Sequence, residues 1–242
     1  MKYRITILIV LLWNITEWLI FNAQLFRAKT WMIFSEEYIY NNLYMVGTYF
    51  HSENYIFFAG IIAIICIEYC LKFENEGIII RYKSRNSFFK TRITTAVLIG
   101  IMFSISHCIV GFAGSNILFQ KEYLYNSNNI MFYLCVMIML TLYLLQIGML
   151  YFILRDRLRK KNMAIMATVV ITSFVYFICN YVLPTNWTPV YDLVYLSHNT
   201  YANVINAIDF SLTIIRQIVI TLLFIIAALE NFKKEDVMNI EK

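Results

Sequence analysis

Ile93-Thr-Thr-Ala-Val-Leu-Ile-Gly100-Ile-Met-Phe-Ser-Ile-Ser-His107-Cys-Ile-Val-Gly111-Phe-Ala113 contains no Asp, Glu, Lys or Arg. A stretch of about twenty such residues is long enough, at roughly 1.5 Å per residue, to cross about 30 Å of hydrocarbon. Inside that layer no water is available to backbone N–H and C=O groups, so the stretch must be a helix that satisfies them internally. A transmembrane β-strand would be shorter and would alternate in polarity. One stretch thus points to an all-α integral membrane protein.

Working outward, similar runs recur at Ile5–Phe26, Tyr55–Leu71, Ile130–Leu154, Met163–Leu183 and Phe210–Leu229. With Ile93–Ala113 they predict six transmembrane helices. The first follows Lys2 and Arg4, as the core of a signal peptide does. However, it contains Glu17, exceeds twenty residues and lacks a small-x-small cleavage site, so it reads as a span. Of 242 residues 60% are hydrophobic and only 14% charged, against about 25% charged in a soluble domain. The five cysteines all fall in apolar runs and read as small core residues, not as a disulfide framework. Two prolines, seven glycines and the lack of repeats leave residues 1–242 as a single domain.

Charge sets the expected orientation. Sixteen of the twenty Lys and Arg fall at Lys2–Arg4, in the second and fourth linkers and in the tail. Only Arg27, Lys29 and Lys121 lie on the other side, and Arg216 is within a span. The positive-inside rule then places both termini in the cytoplasm. The outer connections hold Tyr, Trp and Asn. The last, from Pro184 to Leu196, mixes aromatic and polar residues and is expected to lie on or dip into the outer interface.

Ionisable groups within spans are costly and need a partner or a use. Glu68, four residues from Lys72, reads as reaching the headgroup region. Glu17 and Arg216 fall at nearly equal depth by helical rise and are expected to pair, either as a structural pin or along a substrate path. Asn14, Glu17, Phe21 and Gln24 share one helix face; Asp209, Thr213 and Arg216 share another. Gly100, Ser104, His107, Gly111 and Gly114 form a stripe of small and polar residues. It is either a packing seam or a polar translocation wall with His107 as its titratable member.

Familiar catalytic chemistry does not emerge. His51, His107 and His198 lack the spacing of a metalloprotease pair, and there is no glycine-rich phosphate loop. The chain resembles intramembrane prenyl-endopeptidase-like proteins in size, and Glu36-Glu37 resembles their paired glutamates. Asn41 stands where that pattern wants an arginine, and Ala202 where it wants a polar residue four after His198. No catalytic residue, cofactor ligand or metal ligand is nominated, and nothing points to nucleic acid.

The second linker, Glu76-Gly77-Ile-Ile-Ile-Arg81-Tyr82-Lys83-Ser84-Arg85-Asn86-Ser87-Phe88-Phe89-Lys90-Thr91-Arg92, interleaves bases with apolar residues. It predicts a short amphipathic cytoplasmic helix between spans two and three, suited to an anionic leaflet. Here the chain also resembles the small permease subunits of bacterial ABC-2-type exporters, including those of peptide or lantibiotic export and self-immunity. Their Arg-Tyr/Leu-x-x-Arg segment ending in aromatics is similar to Arg81-Tyr82-Lys83-Ser84-Arg85 followed by Phe88-Phe89. The family also has six spans, cytoplasmic ends and an outer segment that dips before span six. It places an amphipathic helix before span one, where only Met1–Arg4 stand here.

The resemblance implies a non-enzymatic permease in the plasma membrane, moving a peptide or amphipathic substrate. A separate ABC ATPase subunit would carry the ATP and dock on Arg81, Tyr82, Lys83, Arg85, Phe88 and Phe89, and on Arg155–Lys161. A second permease copy or a homologue would complete the path. The alternatives are a standalone membrane receptor or immunity protein, and an intramembrane enzyme.

Overall fold

The computed structural model describes residues 2–30, 54–71, 85–118, 127–178, 189–201 and 206–238. They form helices α1 (Lys2–Thr30), α2 (Tyr55–Leu71), α3 (Arg85–Leu118), α4 (Ser127–Leu158), α5 (Lys161–Phe177), α6 (Pro189–Tyr201) and α7 (Ala207–Met238). No strand occurs among the described residues. The all-α expectation holds.

Four of these helices, α1, α3, α4 and α7, are long and apolar enough to cross a membrane. The two remaining expected spans give shorter apolar helices. α2 has 5 π-helical residues (Tyr55–Ala59) followed by 12 α-helical ones, and α5 has 17 residues. At about 1.5 Å per residue, 17 residues reach roughly 25 Å, the lower limit for a span. The end of the expected fifth span, beyond Ile178, lies outside the described residues.

Helix α4 is the hub, packed against α2, α3, α5, α6 and α7. In its most apolar window 56% of residues are buried; in that of α7 only 22% are, although α7 is the more hydropathic of the two. Ile208, Leu212, Ile215, Leu222 and Leu223 of α7 are all more than half exposed. A row of large aliphatic side chains facing outward is unstable in water and matched by hydrocarbon. The fold is that of a membrane protein.

Where the sequence predicts a separate amphipathic helix before the third span, Arg85–Arg92 is instead the start of α3. No Gly or Pro interrupts Arg85-Asn-Ser-Phe-Phe-Lys-Thr-Arg92, so nothing stops the helix from beginning there. Arg81, Tyr82 and Lys83 lie outside the described residues, as do Glu36, Glu37 and Asn41. At the other junction, α4 reverses into α5 through Arg159, whose φ of 54° is in the left-handed region. Its N–H still reaches the Arg155 carbonyl at 3.0 Å, and the Arg155 guanidinium donates to the Arg159 carbonyl at 2.8 Å.

Candidate functional site

Three buried polar clusters tie the helices together. The first gathers the helix ends that carry the basic residues. Arg92 of α3 is 3% exposed and donates to both carboxylate oxygens of Asp156 in α4, each at 2.8 Å. Its guanidinium lies 4.8 Å from the Phe88 ring, 5.4 Å from Phe152 and 5.1 Å from Phe232 of α7, in cation–π range. Glu68 of α2 accepts from the Tyr151 hydroxyl and lies 3.5 Å from Arg155 and 3.6 Å from Lys161. Arg157 reaches Asn231 of α7 at 2.8 Å, and Thr6 of α1 lies 3.1 Å from the Cys70 thiol of α2. Six helices, α1 to α5 and α7, therefore bring one end each to a common basic end. Glu68, expected to reach outward, is only 4% exposed.

Phe88 and Phe89, the apolar half of the expected docking segment, are buried in this cluster. Their rings lie 6.0 and 5.7 Å from that of Phe232. They hold α3 to α7 within the chain. Arg85 opens α3 beside them.

The second cluster joins α1, α2 and α3. His107 is fully buried, with Nδ1 3.1 Å from Asn14 Oδ1 and Nε2 3.4 Å from the Tyr55 hydroxyl. Asn14 donates through Nδ2 to the Val10 carbonyl at 2.9 Å, which fixes its oxygen toward His107. Nδ1 is then the protonated nitrogen, and Nε2 accepts from Tyr55. Glu17 is 3% exposed, beside Asn54 at the start of α2.

The small-residue stripe is a packing seam that serves two neighbours. A Cβ on Gly100 would lie 3.3 Å from the Thr141 carbonyl of α4, and Ser104 accepts from the Thr141 hydroxyl at 3.0 Å. A Cβ on Gly114 would fall 2.2 Å from Trp18 of α1, so only glycine fits. His107, on the same stripe, faces α1 through Asn14.

The third cluster contains Arg216, but not as expected. Its partner is Asp192 of α6, which is fully buried and also accepts from Gln217. No contact joins Arg216 to Glu17. Arg216 sits nine residues into α7, about 14 Å at helical rise. Asp192 therefore meets it well below the start of that helix, and α6 is drawn in with it. Leu193 and Leu196 of α6 are fully buried as well. The network continues to α4, where Gln146 Nε2 donates to Gln217 Oε1 and to the Thr221 hydroxyl, both at 3.0 Å. Asp209, on the same expected face as Arg216, is exposed and caps α7 with Asn206 at 2.8 Å.

Asp192, Gln146 and Gln217 were not singled out from the sequence, where only the ionisable residues inside the apolar runs were expected to need a partner. An uncharged amide in an apolar run is also a signal, because its donors and acceptors need partners there. Among the described residues no group of three or more His, Cys, Asp or Glu is placed to hold a metal ion. Comparison with protein-family models, with curated proteins and with solved structures found no match.

Proposed function

We propose that the chain is the membrane-spanning permease subunit of an ABC-type exporter. It has six spans, both ends in the cytoplasm and a separate ATPase subunit, and it moves a peptide or amphipathic substrate across the plasma membrane. The observation that carries this reading is α6, a short helix just before the last span that is held below its outer end by Asp192 and Arg216. The resembled family has a dipping segment at this position. The gathered basic end gives an ATPase a rigid surface. Phe88 and Phe89 transmit movement from α3 to α7 instead of meeting the ATPase directly. The contact surface then falls on the α4–α5 turn, where Arg159, Lys160 and Lys161 are exposed.

Purification in mild detergent followed by mass spectrometry tests the reading. An ATPase subunit is expected to co-purify, and reversing charge at Arg159 and Lys160 to Glu is expected to release it without unfolding the permease. If the wild-type chain brings no ATPase with it, the exporter reading fails and the standalone receptor or immunity protein replaces it. Orientation is checked separately. Single cysteines at Asn128 and Asn199 are expected to react with an impermeant thiol reagent on intact cells, and one at Ser84 is not. The inverse pattern reverses the topology.

A further inference from the structure

On three helices the outward face changes from aliphatic to basic at the same end of the bundle. In α1, Arg4, Leu8, Leu12, Ile15 and Leu19 are all exposed, and their helical spacing puts them in one row. In α3, exposed Lys90 and Thr94 lead into the exposed row Leu98, Ile101, Ile105 and Ile109. In α7, exposed Val219, Leu222 and Ile226 run on to Glu230 and Lys233, with Lys234 beside it. The cations also share a level. Lys90 and Lys233 directly follow Phe89 and Phe232, whose rings lie 5.7 Å apart. Arg4 stands just before Thr6, which meets Cys70 at the basic end.

These side chains differ from the other bases at that end. Arg92, Arg155 and Lys161 turn toward the buried carboxylates Asp156 and Glu68. Arg159 and Lys160 stand in the α4–α5 turn, at the tip of the bundle. The side chains of Arg4, Lys90, Lys233 and Lys234 point outward, with no ion pair or hydrogen bond among the described residues. Glu230, the acid on the α7 row, is exposed as well and pairs with neither lysine among those residues.

A long basic side chain in line with aliphatic neighbours lays its stem along them and carries its charge to the headgroup layer. What covers such a row must offer hydrocarbon along its length and negative charge at one end. Leu222 lies about 16 Å from Lys233 at helical rise, close to half of a hydrocarbon core roughly 30 Å thick. That matches the acyl chains of one leaflet. A zwitterionic lipid fits the aliphatic row but does not match the unpaired cations.

We infer that Arg4, Lys90, Lys233 and Lys234 form a lateral collar that retains anionic phospholipids, with phosphates against the cations and chains along α1, α3 and α7. The collar needs only that these helices cross the bilayer, and it does not rest on the exporter reading.

The test uses the purified full chain in nanodiscs of equal parts phosphatidylglycerol and phosphatidylcholine with identical chains. Lipids that stay bound after transfer to detergent are identified by native mass spectrometry. Phosphatidylglycerol is expected to be retained about fivefold over phosphatidylcholine for each cation it meets. Lys90→Gln combined with Lys233→Gln should remove most of that preference. Arg159→Gln combined with Lys160→Gln changes net charge equally, but at the tip, and should leave the preference in place. All four positions are exposed, so neither pair of changes opens the core. Equal retention of the two lipids by the wild type would overturn the proposal. So would an equal drop in both double variants, the mark of attraction to net charge alone. A dimer that retains no lipid would overturn it too, since a second copy would then cover the α7 row. If the Lys90 and Lys233 variant fails to fold, Arg4→Gln combined with Lys234→Gln takes its place.

Discussion

Glu68 and Asp156 at the basic end lie among Arg92, Arg155 and Lys161, whereas in the other half of the bundle Asp192 has Arg216 as its only cation among the described residues. The first arrangement is shared: Glu68 touches two cations and the Tyr151 hydroxyl, and Asp156 is near Arg155 as well as Arg92. The second is a single pair, extended by two glutamine amides. Shared charge tolerates the loss of one member. A single pair does not, because removing one partner strands the other in a medium that cannot solvate it. The basic end therefore shares its charges, whereas the one buried carboxylate of α6 depends on a single cation, beside its bond to Gln217 and the burial of Leu193 and Leu196.

The largest expected effect breaks the single pair. Arg216→Gln leaves a fully buried carboxylate without its cation and should cost about 3–5 kcal/mol of stability, read from denaturant unfolding in detergent. Asp192→Asn in the same background removes the stranded charge, so the double variant should cost less than the sum, with a coupling of about 0.5–3 kcal/mol. Additive losses would mean that α6 is held by Leu193 and Leu196 alone.

An intermediate effect is expected at Arg92→Gln. It removes a charge-assisted contact to Asp156 and a cation over three aromatic rings, for a loss of about 1.5–3 kcal/mol. Because Arg155 remains near Asp156, the loss should stay below that of Arg216→Gln measured the same way. A loss as large as that of Arg216→Gln would erase the distinction between the two clusters.

These clusters also show how far the sequence could be read. Hydropathy placed the four long helices and located α2, because the membrane condition acts on every residue of a run. It did not reveal that α3 begins at Arg85, since a charged turn ahead of an apolar run reads as a boundary, whereas Arg92 brings its own counter-ion and rings from α4 and α7. The pairing of Glu17 with Arg216 failed for a geometric reason. Counting residues gives depth along a helix but neither its azimuth nor its neighbours. The stretch from Pro184 to Leu196 was expected to lie on or dip into the outer interface, but no partner was assigned to Asp192; the turn-spaced Asp192, Leu193 and Leu196 carried the inward face. His107 and Asn14 stand on the polar faces that the spacing assigned, but that these two faces meet is shown only by the structure.

The smallest effect is the sharpest test of sharing. Lys161 is 52% exposed and lies 3.6 Å from Glu68, so its contribution is screened and Lys161→Gln should change stability by less than about 1 kcal/mol. Arg155, at 13% exposure, covers the same carboxylate from the other side and stays in place through its bond to the Arg159 carbonyl. With Lys161 already replaced, Arg155→Gln leaves Glu68 only the Tyr151 hydroxyl, so the double variant should lose more than the two single losses together. That sign is opposite to the one expected for Asp192 and Arg216, where the second change relieves the first. Thermal unfolding of seven proteins in one detergent, the wild type with the two single variants and the double variant of each pair, reads both signs. If Lys161→Gln alone is strongly destabilising, or if the double loss is merely additive, Glu68 is not shared and the two clusters are held in the same way.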